Sequence, residues 1–318
     1  MKNLIAVVTG EPNSINSEII AKTWKKLNEN EKKRIFFIGN YKLLLKQFKK
    51  IRIKIPVKKI DTFETQNIKG IKILDIPLKF KNCFNVKKED SAKYVKKCLD
   101  KAHMLSIKNR IIGFVNCPID KKIFRNKSGV TEYLAKKNNL NNSEVMLIYN
   151  KSLSVVPITT HIKIKHVSKN ISSKLIKKKL NTINKFYKRK FKKIPKIGVL
   201  GMNPHNLELS KDSEERKIIL PAISSLKNMN LKIYGPFPAD TIFLNLKKYN
   251  FDVIVGMYHD QVLTPFKTIY GYDAINITLG LKYIRISPDH GTAKDLIAKN
   301  KASPKSLISA LSFIRKLK

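Results

Sequence analysis

The amino-acid sequence predicts an α/β fold with a largely parallel sheet. Short runs rich in β-branched residues alternate with longer amphipathic stretches, which is the pattern of strand–helix–strand units. The chain has 318 residues, a length that fits two domains or one large one. Its hydrophobic fraction of 42% is typical of globular proteins, so the chain can form a sizeable core without disulfides.

The alternation predicts six strands and five helices in chain order. The strands are expected at 5–10, 34–39, 111–118, 196–204, 251–258 and 273–280. The helices are expected at 18–28, 89–106, 131–137, 214–227 and 304–318. The last strand is compatible with an antiparallel part of the sheet. The lysine-rich stretch 174–196 has apolar residues at helical spacing, which predicts a solvated helix face followed by a loop.

The charge balance is strongly basic, with 65 Lys and Arg against 23 Asp and Glu and a net charge of +42. A basic nucleic-acid-binding protein is therefore one hypothesis. Against it, the charges are spread along the chain and only eight of the basic residues are arginine, the residue that nucleic-acid readers favour. The excess of Lys, Ile and Asn, which share A/T-rich codons, indicates a biased genome. Steering of anionic substrates would follow from such a charge.

Several compartments and site classes are disfavoured. No apolar run approaches the roughly 20 residues of a membrane span. The start MKNLIAVVTGEP predicts a buried strand and a turn rather than a secretory signal. The three cysteines, Cys83, Cys98 and Cys117, form no CxxC and suggest reduced thiols in the cytoplasm. The GxGxxG, GxxxxGK[ST] and GxSxG motifs are absent, so neither an ordinary Rossmann fingerprint, nor a P-loop, nor a hydrolase elbow is indicated.

Three of the six histidines follow strand-like apolar runs. His161 follows VVPITT, His205 follows the run that starts at 196, and His259 follows 251–258. Ligands bind at the carboxyl ends of strands in α/β folds, and imidazole is the commonest transition-metal ligand. Three histidines would leave positions open for water or substrate. The alternative is three unrelated loop histidines, because their long spacing matches no short pattern such as HExxH.

Two further segments carry polar groups next to apolar runs. His290 lies in the polar turn 287–293, before a helical run, where backbone N–H groups could bind an anion or cofactor; a simple helix cap fits equally well. Asp240 lies in the segment 235–241, where two prolines predict a rigid loop around a buriable carboxylate, or else a helix N-cap.

Two basic residues are candidates to hold an anionic substrate. Lys267 follows the YHDQ segment, and Arg285 offers a bidentate fork. One lysine is weak evidence among 57, whereas an arginine carries more weight in a chain with so few.

The motifs taken together resemble the PdxA family of 4-hydroxythreonine-4-phosphate dehydrogenases. Between residues 235 and 293 the segments GPFPADTIF, YHDQVLTPFK, NITLGL and IRISPDHGTA occur in the family's order. Upstream lie VTGEPNSINSEI, CPIDK, SGVTEYLA, TTHIKI and MNPHN. The resemblance covers essentially the whole chain.

The resemblance implies an architecture and a partner. It predicts two α/β/α lobes with a central cleft, like those of isocitrate and isopropylmalate dehydrogenases and unlike a Rossmann fold. The first lobe is expected to comprise 1–130 plus 275–318. The second, 131–274, is expected to carry most of the metal site and the dimer contact. The family forms homodimers whose active site takes groups from both subunits.

The resemblance also implies a reaction in pyridoxal phosphate biosynthesis. With NAD or NADP, the family oxidises 4-phosphooxy-L-threonine to a β-keto acid that loses CO2 to give 3-amino-2-oxopropyl phosphate. A divalent metal (Zn, Mg, Co or Mn) would polarise the reacting oxygen. The metal ligands carried over by motif are His161, His205 and His259. The substrate-binding positions are Thr131, Lys267, Asn276 and Arg285. The cofactor-binding candidates are His290, Gly291 and Thr292, and Asp240 or Asp260 could orient a histidine ligand.

The chain departs from the family pattern at several positions. Val130 stands where the family has a histidine before the TE motif, so one substrate contact is expected to be missing or replaced. The other departures are Ser14, Asn16 and Ser17 in the first loop, residues 206–210 after MNPH, and Ile297–Ala298 in place of an Ala-Gly pair. Three interpretations stay open: a fast-drifting version of the same enzyme, a relative with an altered hydroxy-acid substrate, and a catalytically silent binder.

Overall fold

The computed structural model describes residues 4–61, 69–124, 129–140, 142–271 and 273–317. The chain divides into two compact units, the first formed by residues 1–134 and 282–318 and the second by residues 135–281. The sequence predicts the corresponding boundaries at 130 and 274. Among the described residues, no helix is both long and apolar enough to span a bilayer.

The strands and helices alternate along most of the chain. The strands are β1 (Ile5–Val8), β2 (Ile35–Gly39), β3 (Val57–Ile60), β4 (Ile71–Asp75), β5 (Gly113–Asn116), β6 (Val145–Tyr149), β7 (Ser154–Pro157), β8 (Ile197–Leu200), β9 (Ile233–Phe237), β10 (Val253–Gly256), β11 (Ile275–Leu279) and β12 (Ile284–Pro288). The helices are α1 (Asn16–Lys26), α2 (Glu29–Lys33), α3 (Tyr41–Lys50), α4 (Lys88–Ile107), α5 (Val130–Lys137), α6 (Val167–Asn170), α7 (Ser173–Phe191), α8 (Leu220–Lys227), α9 (Ala239–Ile242), α10 (Leu246–Tyr249), α11 (His259–Tyr270) and α12 (Lys305–Lys316).

The described residues of the first unit form six parallel strands in the order β3-β4-β2-β1-β5-β12. All four residues of β1 are apolar and fully buried, as expected for a central strand covered on both faces. At the edge, β3 exposes Lys58 and Lys59, and such charges discourage pairing with another chain. Helix α4 packs on β1, β2 and β5, and α12 packs on β5 and β12.

In the second unit, the part of the chain that the structure describes forms six strands in the order β11-β6-β7-β10-β8-β9. Strand β6 is antiparallel to both β11 and β7, and the remaining pairs are parallel. Helix α11 packs on β7 and β10, and its Val262 and Phe266 side chains are fully buried. The N-terminus of α11 is therefore fixed next to the end of β10.

The predicted α/β class is confirmed, and so are the six predicted strands and the antiparallel placement of 273–280. The expected helix at 214–227 starts as a π-helical turn, Glu215–Ile219, before α8. Residue 318, the predicted end of the last helix, lies outside the described residues. The reading of 235–241 as a loop is wrong in its first half, because residues 233–237 pair with β8 as strand β9. The two prolines favoured a loop in the sequence. Strand β9 is an edge strand, however, and the missing N–H of a proline is tolerated there.

Candidate functional site

Three neighbouring parallel strands of the second unit lead to the three predicted metal ligands. Strands β7, β10 and β8 lie side by side, so their carboxyl ends share one edge of the sheet. His161, His259 and His205 each follow the end of one of these strands within five residues. The topology therefore brings together three segments that are widely separated in the sequence, at the edge where α/β folds bind ligands.

Two of these imidazoles are neighbours. The ring centroids of His161 and His259 lie 5.9 Å apart, with 41° between the ring planes. His259 Nδ1 lies 2.7 Å from Oδ1 of Asp260. A carboxylate at Nδ1 holds the proton there and directs the Nε2 lone pair outward, as metal-binding histidines require. Among the described residues, no three His, Cys, Asp or Glu side chains are clustered tightly enough to hold a metal ion.

The two acidic candidates occupy different positions. Asp260 contacts His259, as an orienting group would. Asp240 is exposed in the first turn of α9, so its expected burial is wrong. Pro238 holds the N-cap position and no side chain caps the helix, so the alternative role of Asp240 as an N-cap is wrong too.

His205 stands on a loop that a buried carboxylate holds in place. Its own backbone has φ of +49°, a conformation that side chains other than glycine rarely adopt. Glu215, which is fully buried, accepts hydrogen bonds from the N–H groups of Met202 and Asn203 at 2.7 and 2.8 Å. Asn203 Nδ2 donates to Glu215 Oε2 at 3.0 Å and to Glu214 Oε2 at 2.8 Å. The sequence analysis did not identify Glu215 as the residue that holds this loop. The one indication in the sequence was that Glu214 and Glu215 are adjacent in a chain with few acidic residues.

Burial alone would raise the pKa of Glu215, but the hydrogen bonds from Asn203 and Met202 outweigh it, and the pKa is lowered. The carboxylate therefore stays ionised, which suits an acceptor that holds three donors. Its contribution to stability is present above the ordinary glutamate pKa and is lost as the pH falls through the lowered value.

Two predicted substrate-binding residues also lie in the second unit. Asn276 is on β11, opposite Ile148 of β6, and its buried Oδ1 has no hydrogen-bond partner among the described residues. A buried amide oxygen in that state is suited to receive a ligand donor. Lys267 lies in the last turn of α11, roughly 12 Å along the helix axis from His259.

The other two substrate-binding candidates meet in the first unit. Arg285 on β12 is buried, and burial lowers the pKa of its guanidinium to about 10. Its Nη1 lies 3.4 Å from Oγ1 of Thr131, in the first turn of α5. Val130 is the first residue of that helix. Arg285 Nε donates to Oδ1 of Asn116 at 2.7 Å, a partner that sequence reasoning did not identify.

Three of the family-like motifs converge in the first unit. The N–H of Glu11 donates to the carbonyl of Pro118, and the N–H of Ile15 donates to the carbonyl of Thr292. Lys294 Nζ lies 2.9 Å from Oδ2 of Asp120. These bonds join the first loop, the CPIDK segment and the DHGTA segment.

The unusual residues of the first loop close it with their own hydrogen bonds. Asn16 Nδ2 donates to the carbonyls of Thr9 and Pro118, at 2.9 and 2.8 Å, and Ser14 Oγ donates to the carbonyl of Glu11 at 2.5 Å. Polar side chains thus supply contacts that a glycine-rich loop would lack.

Glu11 is almost fully buried and supplies the first pH-dependent prediction. Burial raises the pKa of its carboxyl, against the hydrogen bond donated by Ser91 at 2.6 Å. A raised pKa means that the neutral form stabilises the fold at low pH and that this stability is lost as the pH rises through the folded-state pKa.

We expect Glu11→Gln, which is always neutral, to raise the melting temperature at pH 7 and to have little effect below about pH 4.5, the ordinary pKa of glutamate. Thermal melts from pH 4 to pH 8 measure this. Glu89→Gln, at an exposed position of α4, controls for the lost charge. A stability gain that is independent of pH would contradict the prediction.

The cofactor-binding candidates lie in irregular backbone. His290 Nδ1 lies 3.0 Å from the carbonyl of Gly291, and a Cβ placed on Gly291 would meet nothing within 4 Å. Only a three-residue 3-10 helix, Lys294–Leu296, follows, so the expected helical run is wrong. The helix-terminus argument for binding through N–H groups therefore does not apply here.

Ala298, for which the family resemblance predicts a glycine, adopts φ of +61°. An alanine pays a steric cost of about 1 kcal/mol in this conformation that glycine avoids. We expect Ala298→Gly to raise the free energy of unfolding by roughly 0.5–1 kcal/mol in denaturant titrations. The control Ala92→Gly, inside α4, is expected to lower it by about 1 kcal/mol. Destabilisation by both changes would show that Ala298 is not strained.

Comparisons with known proteins match these features. The sequence matches the family described as pyridoxal phosphate biosynthetic protein PdxA over residues 31–314. It is 36% identical over 322 residues to a 4-hydroxythreonine-4-phosphate dehydrogenase of Aquifex aeolicus, covering 100% of this chain and 99% of the relative. It is 30% identical over 329 residues to a D-threonate 4-phosphate dehydrogenase of Pectobacterium atrosepticum, covering 100% of both.

Solved structures agree with the fold. A 4-hydroxythreonine-4-phosphate dehydrogenase from Klebsiella pneumoniae superposes with a TM-score of 0.85 at 27% identity, over 99% of each chain. A beta-decarboxylating dehydrogenase from Thermococcus kodakarensis gives 0.53 at 10% identity, over 98% of this chain and 82% of that one. The second similarity concerns the fold alone and agrees with the predicted architecture.

Proposed function

Because the chain belongs to the PdxA family of pyridoxal phosphate biosynthetic proteins, we propose that it is a metal-requiring dehydrogenase. Its substrate would be 4-phosphooxy-L-threonine, which it would decarboxylate oxidatively with NAD or NADP to 3-amino-2-oxopropyl phosphate and CO2. The observation that carries the proposal is the pair of imidazoles of His161 and His259, 5.9 Å apart at the edge where three parallel strands end. The proposed setting is the cytoplasm.

The types of side chain present suit a divalent transition metal. His161 and His259 are adjacent, Asp260 contacts Nδ1 of His259, and His205 follows the next strand. These three histidines would hold the ion, and neutral imidazole suits such metals. A bound divalent metal supplies Lewis acidity, and a bound nicotinamide cofactor accepts the hydride.

The protein's own groups would bind and orient the substrate. The Arg285 fork and the Lys267 ammonium would pair with its phosphate and carboxylate. Thr131 and Asn276 would form hydrogen bonds with its polar groups, and residues 290–292 would contact the cofactor. Asp260 would keep the proton of His259 on Nδ1.

The test is cofactor reduction followed by absorbance, with 4-phosphooxy-L-threonine, NAD or NADP, and a panel of divalent ions. We expect reduction that a chelator stops and that added metal restores. Turnover that is insensitive to chelator would contradict the metal requirement. Metal binding without reduction of either cofactor would favour the catalytically silent interpretation.

A second candidate substrate is D-threonate 4-phosphate. It is favoured by the 30% identity, over the whole chain, to a dehydrogenase named for that compound. The two compounds differ in carrying an amino or a hydroxyl group at C2. Comparing kcat/KM for both distinguishes them, and a higher value for D-threonate 4-phosphate would replace the first proposal.

Restoring a histidine at position 130 tests the departure from the family. Val130 precedes Thr131, whose Oγ1 lies 3.4 Å from Arg285 Nη1. A donor added there would reach the same anionic group, so we expect Val130→His to lower KM for the phosphorylated substrate roughly three- to tenfold. Val130→Ala is the control, because it removes the valine methyl groups without adding a hydrogen-bond donor. An unchanged KM in the histidine variant would mean that position 130 does not contact the substrate.

A homodimer is also proposed. Two apolar side chains of the second unit are strongly exposed, Ile164 at 71% and Leu244 at 82%. Single exposed apolar side chains also occur on monomers, so the proposal rests on the homodimers that the family resemblance implies. Light scattering should give twice the chain mass of 36.6 kDa. A monomer would overturn this part of the proposal.

A further inference from the structure

One buried amide stands behind the substrate-binding arginine. Arg285 lies on β12 and Asn116 ends β5, its parallel neighbour. Arg285 is 3% exposed and Asn116 is 2% exposed. Arg285 Nε donates to Oδ1 of Asn116 at 2.7 Å, within the same unit but across 169 residues of sequence. A contact this short between two buried side chains fixes both of them.

The orientation of the amide follows from its second hydrogen bond. Nδ2 of Asn116 donates to the carbonyl of Cys117 at 3.0 Å. The amide nitrogen can only donate, and a guanidinium has no acceptor, so Oδ1 must be the atom that faces Arg285. The planar guanidinium is then fixed at its Nε edge, and Thr131 lies near Nη1.

The chemical type of the partner matters as much as its position. Asparagine accepts a hydrogen bond without carrying a charge, so Asn116 orients the Arg285 cation without adding a negative charge beside it. An aspartate of the same shape would form a buried ion pair and compete with an anionic ligand. A neutral acceptor does not weaken the attraction of the buried cation for a phosphate or carboxylate, as a carboxylate at the same position would.

We propose that Asn116 is a positioning residue that orients the Arg285 guanidinium for the anionic group of the substrate without placing a negative charge next to it. This inference rests on the proposed function for the identity of the substrate. The contact between the two side chains can be tested without it.

Two substitutions of nearly equal shape separate the two parts of the proposal. Asn116→Leu removes the acceptor, and Asn116→Asp keeps it and adds a charge. With only eight arginines, the chain gives a simple spectrum when arginine Nε is labelled with 15N, and Arg285→Lys assigns the Arg285 signal. The second readout is KM and kcat for 4-phosphooxy-L-threonine and D-threonate 4-phosphate.

In the wild type we expect an Arg285 Nε–H that exchanges slowly with water. Asn116→Leu should speed this exchange at least tenfold, because the donor loses its partner. Asn116→Asp should keep the slow exchange but raise KM at least tenfold, with a smaller change in kcat, because the substrate must displace a carboxylate. Asn184, a buried asparagine of α7, provides the matched controls Asn184→Leu and Asn184→Asp, which should change neither readout.

Unchanged Nε–H exchange in Asn116→Leu would overturn the positioning role, and so would exchange that is already fast in the wild type. A wild-type KM in Asn116→Asp would overturn the requirement for an uncharged partner. If the wild type reduces no cofactor with either substrate, the proposed function fails, and the exchange measurement still decides the role of Asn116.

Each variant must give a circular dichroism spectrum identical to that of the wild type. If Asn116→Leu fails to fold, Asn116→Ser, which shortens the side chain and keeps it polar, takes its place with the same expected exchange.

Discussion

Replacing His259 with alanine is expected to abolish metal binding and cofactor reduction while leaving the protein folded. The ring lies 5.9 Å from that of His161, and Asp260 holds its Nδ1. The side chain is 33% exposed, and α11 is anchored through the buried Val262 and Phe266 instead. Loss of a Lewis acid worth several kcal/mol corresponds to a fall in kcat/KM of about 10³-fold or more.

The measurement combines metal content by mass spectrometry with absorbance of the reduced cofactor. His166→Ala is the matched control, since His166 is an exposed histidine of the same unit that was left out of the predicted ligand set. It should keep both metal and activity. Full metal occupancy in the His259 variant would remove that residue from the ligand set.

The second large effect is expected at Glu215. Glu215→Ala leaves the N–H groups of Met202 and Asn203 and the amide of Asn203 without their buried acceptor. Unsatisfied buried donors cost about 1–3 kcal/mol each, and partial relaxation makes a total loss of roughly 3–5 kcal/mol the expected result. Because these groups hold the His205 loop, metal affinity should fall as well.

Urea unfolding and metal titration measure the two losses. Glu215→Gln keeps the volume but turns an NH2 group toward Asn203, so it should also destabilise the loop. Glu214→Gln is the control: Glu214 is only half-buried and accepts bonds from Ser168 and Asn203. If Glu214→Gln destabilises the protein as much as Glu215→Ala does, the effect comes from the loss of a negative charge in general. Glu215 would then not be a specific anchor of the loop.

The sequence predicts the strand ends well and the contacts between them poorly. Hydrophobic runs before His161, His205 and His259 are local signals, and parallel topology then brings the ends together. Asn116 also follows an apolar run, and Glu215 belongs to an adjacent acidic pair, but neither signal identifies a partner. Their roles depend on burial, and the partner of Asn116 lies 169 residues away, a distance over which periodicity carries no information.

The local sequence pattern did not indicate the observed structure at three places. Strand β9 contains Gly235 and Pro236, which are read as loop residues, yet it lies at the sheet edge, where they are tolerated. Strand β3 has lysines at its two middle positions, so its apolar content was too low to detect. The polar turn at 287–293 was read as the start of a helix, although only three helical residues follow.

The composition of the two units bears on the order in which the nascent chain folds. Residues 135–281 are continuous, so the ribosome releases that unit as one uninterrupted stretch. The other unit also contains β12 and α12, which are made after that stretch, and both pack on β5, which was made much earlier. Its sheet must therefore wait with an open edge until β12 has been made, and this is the stage at which protection by chaperones would matter most.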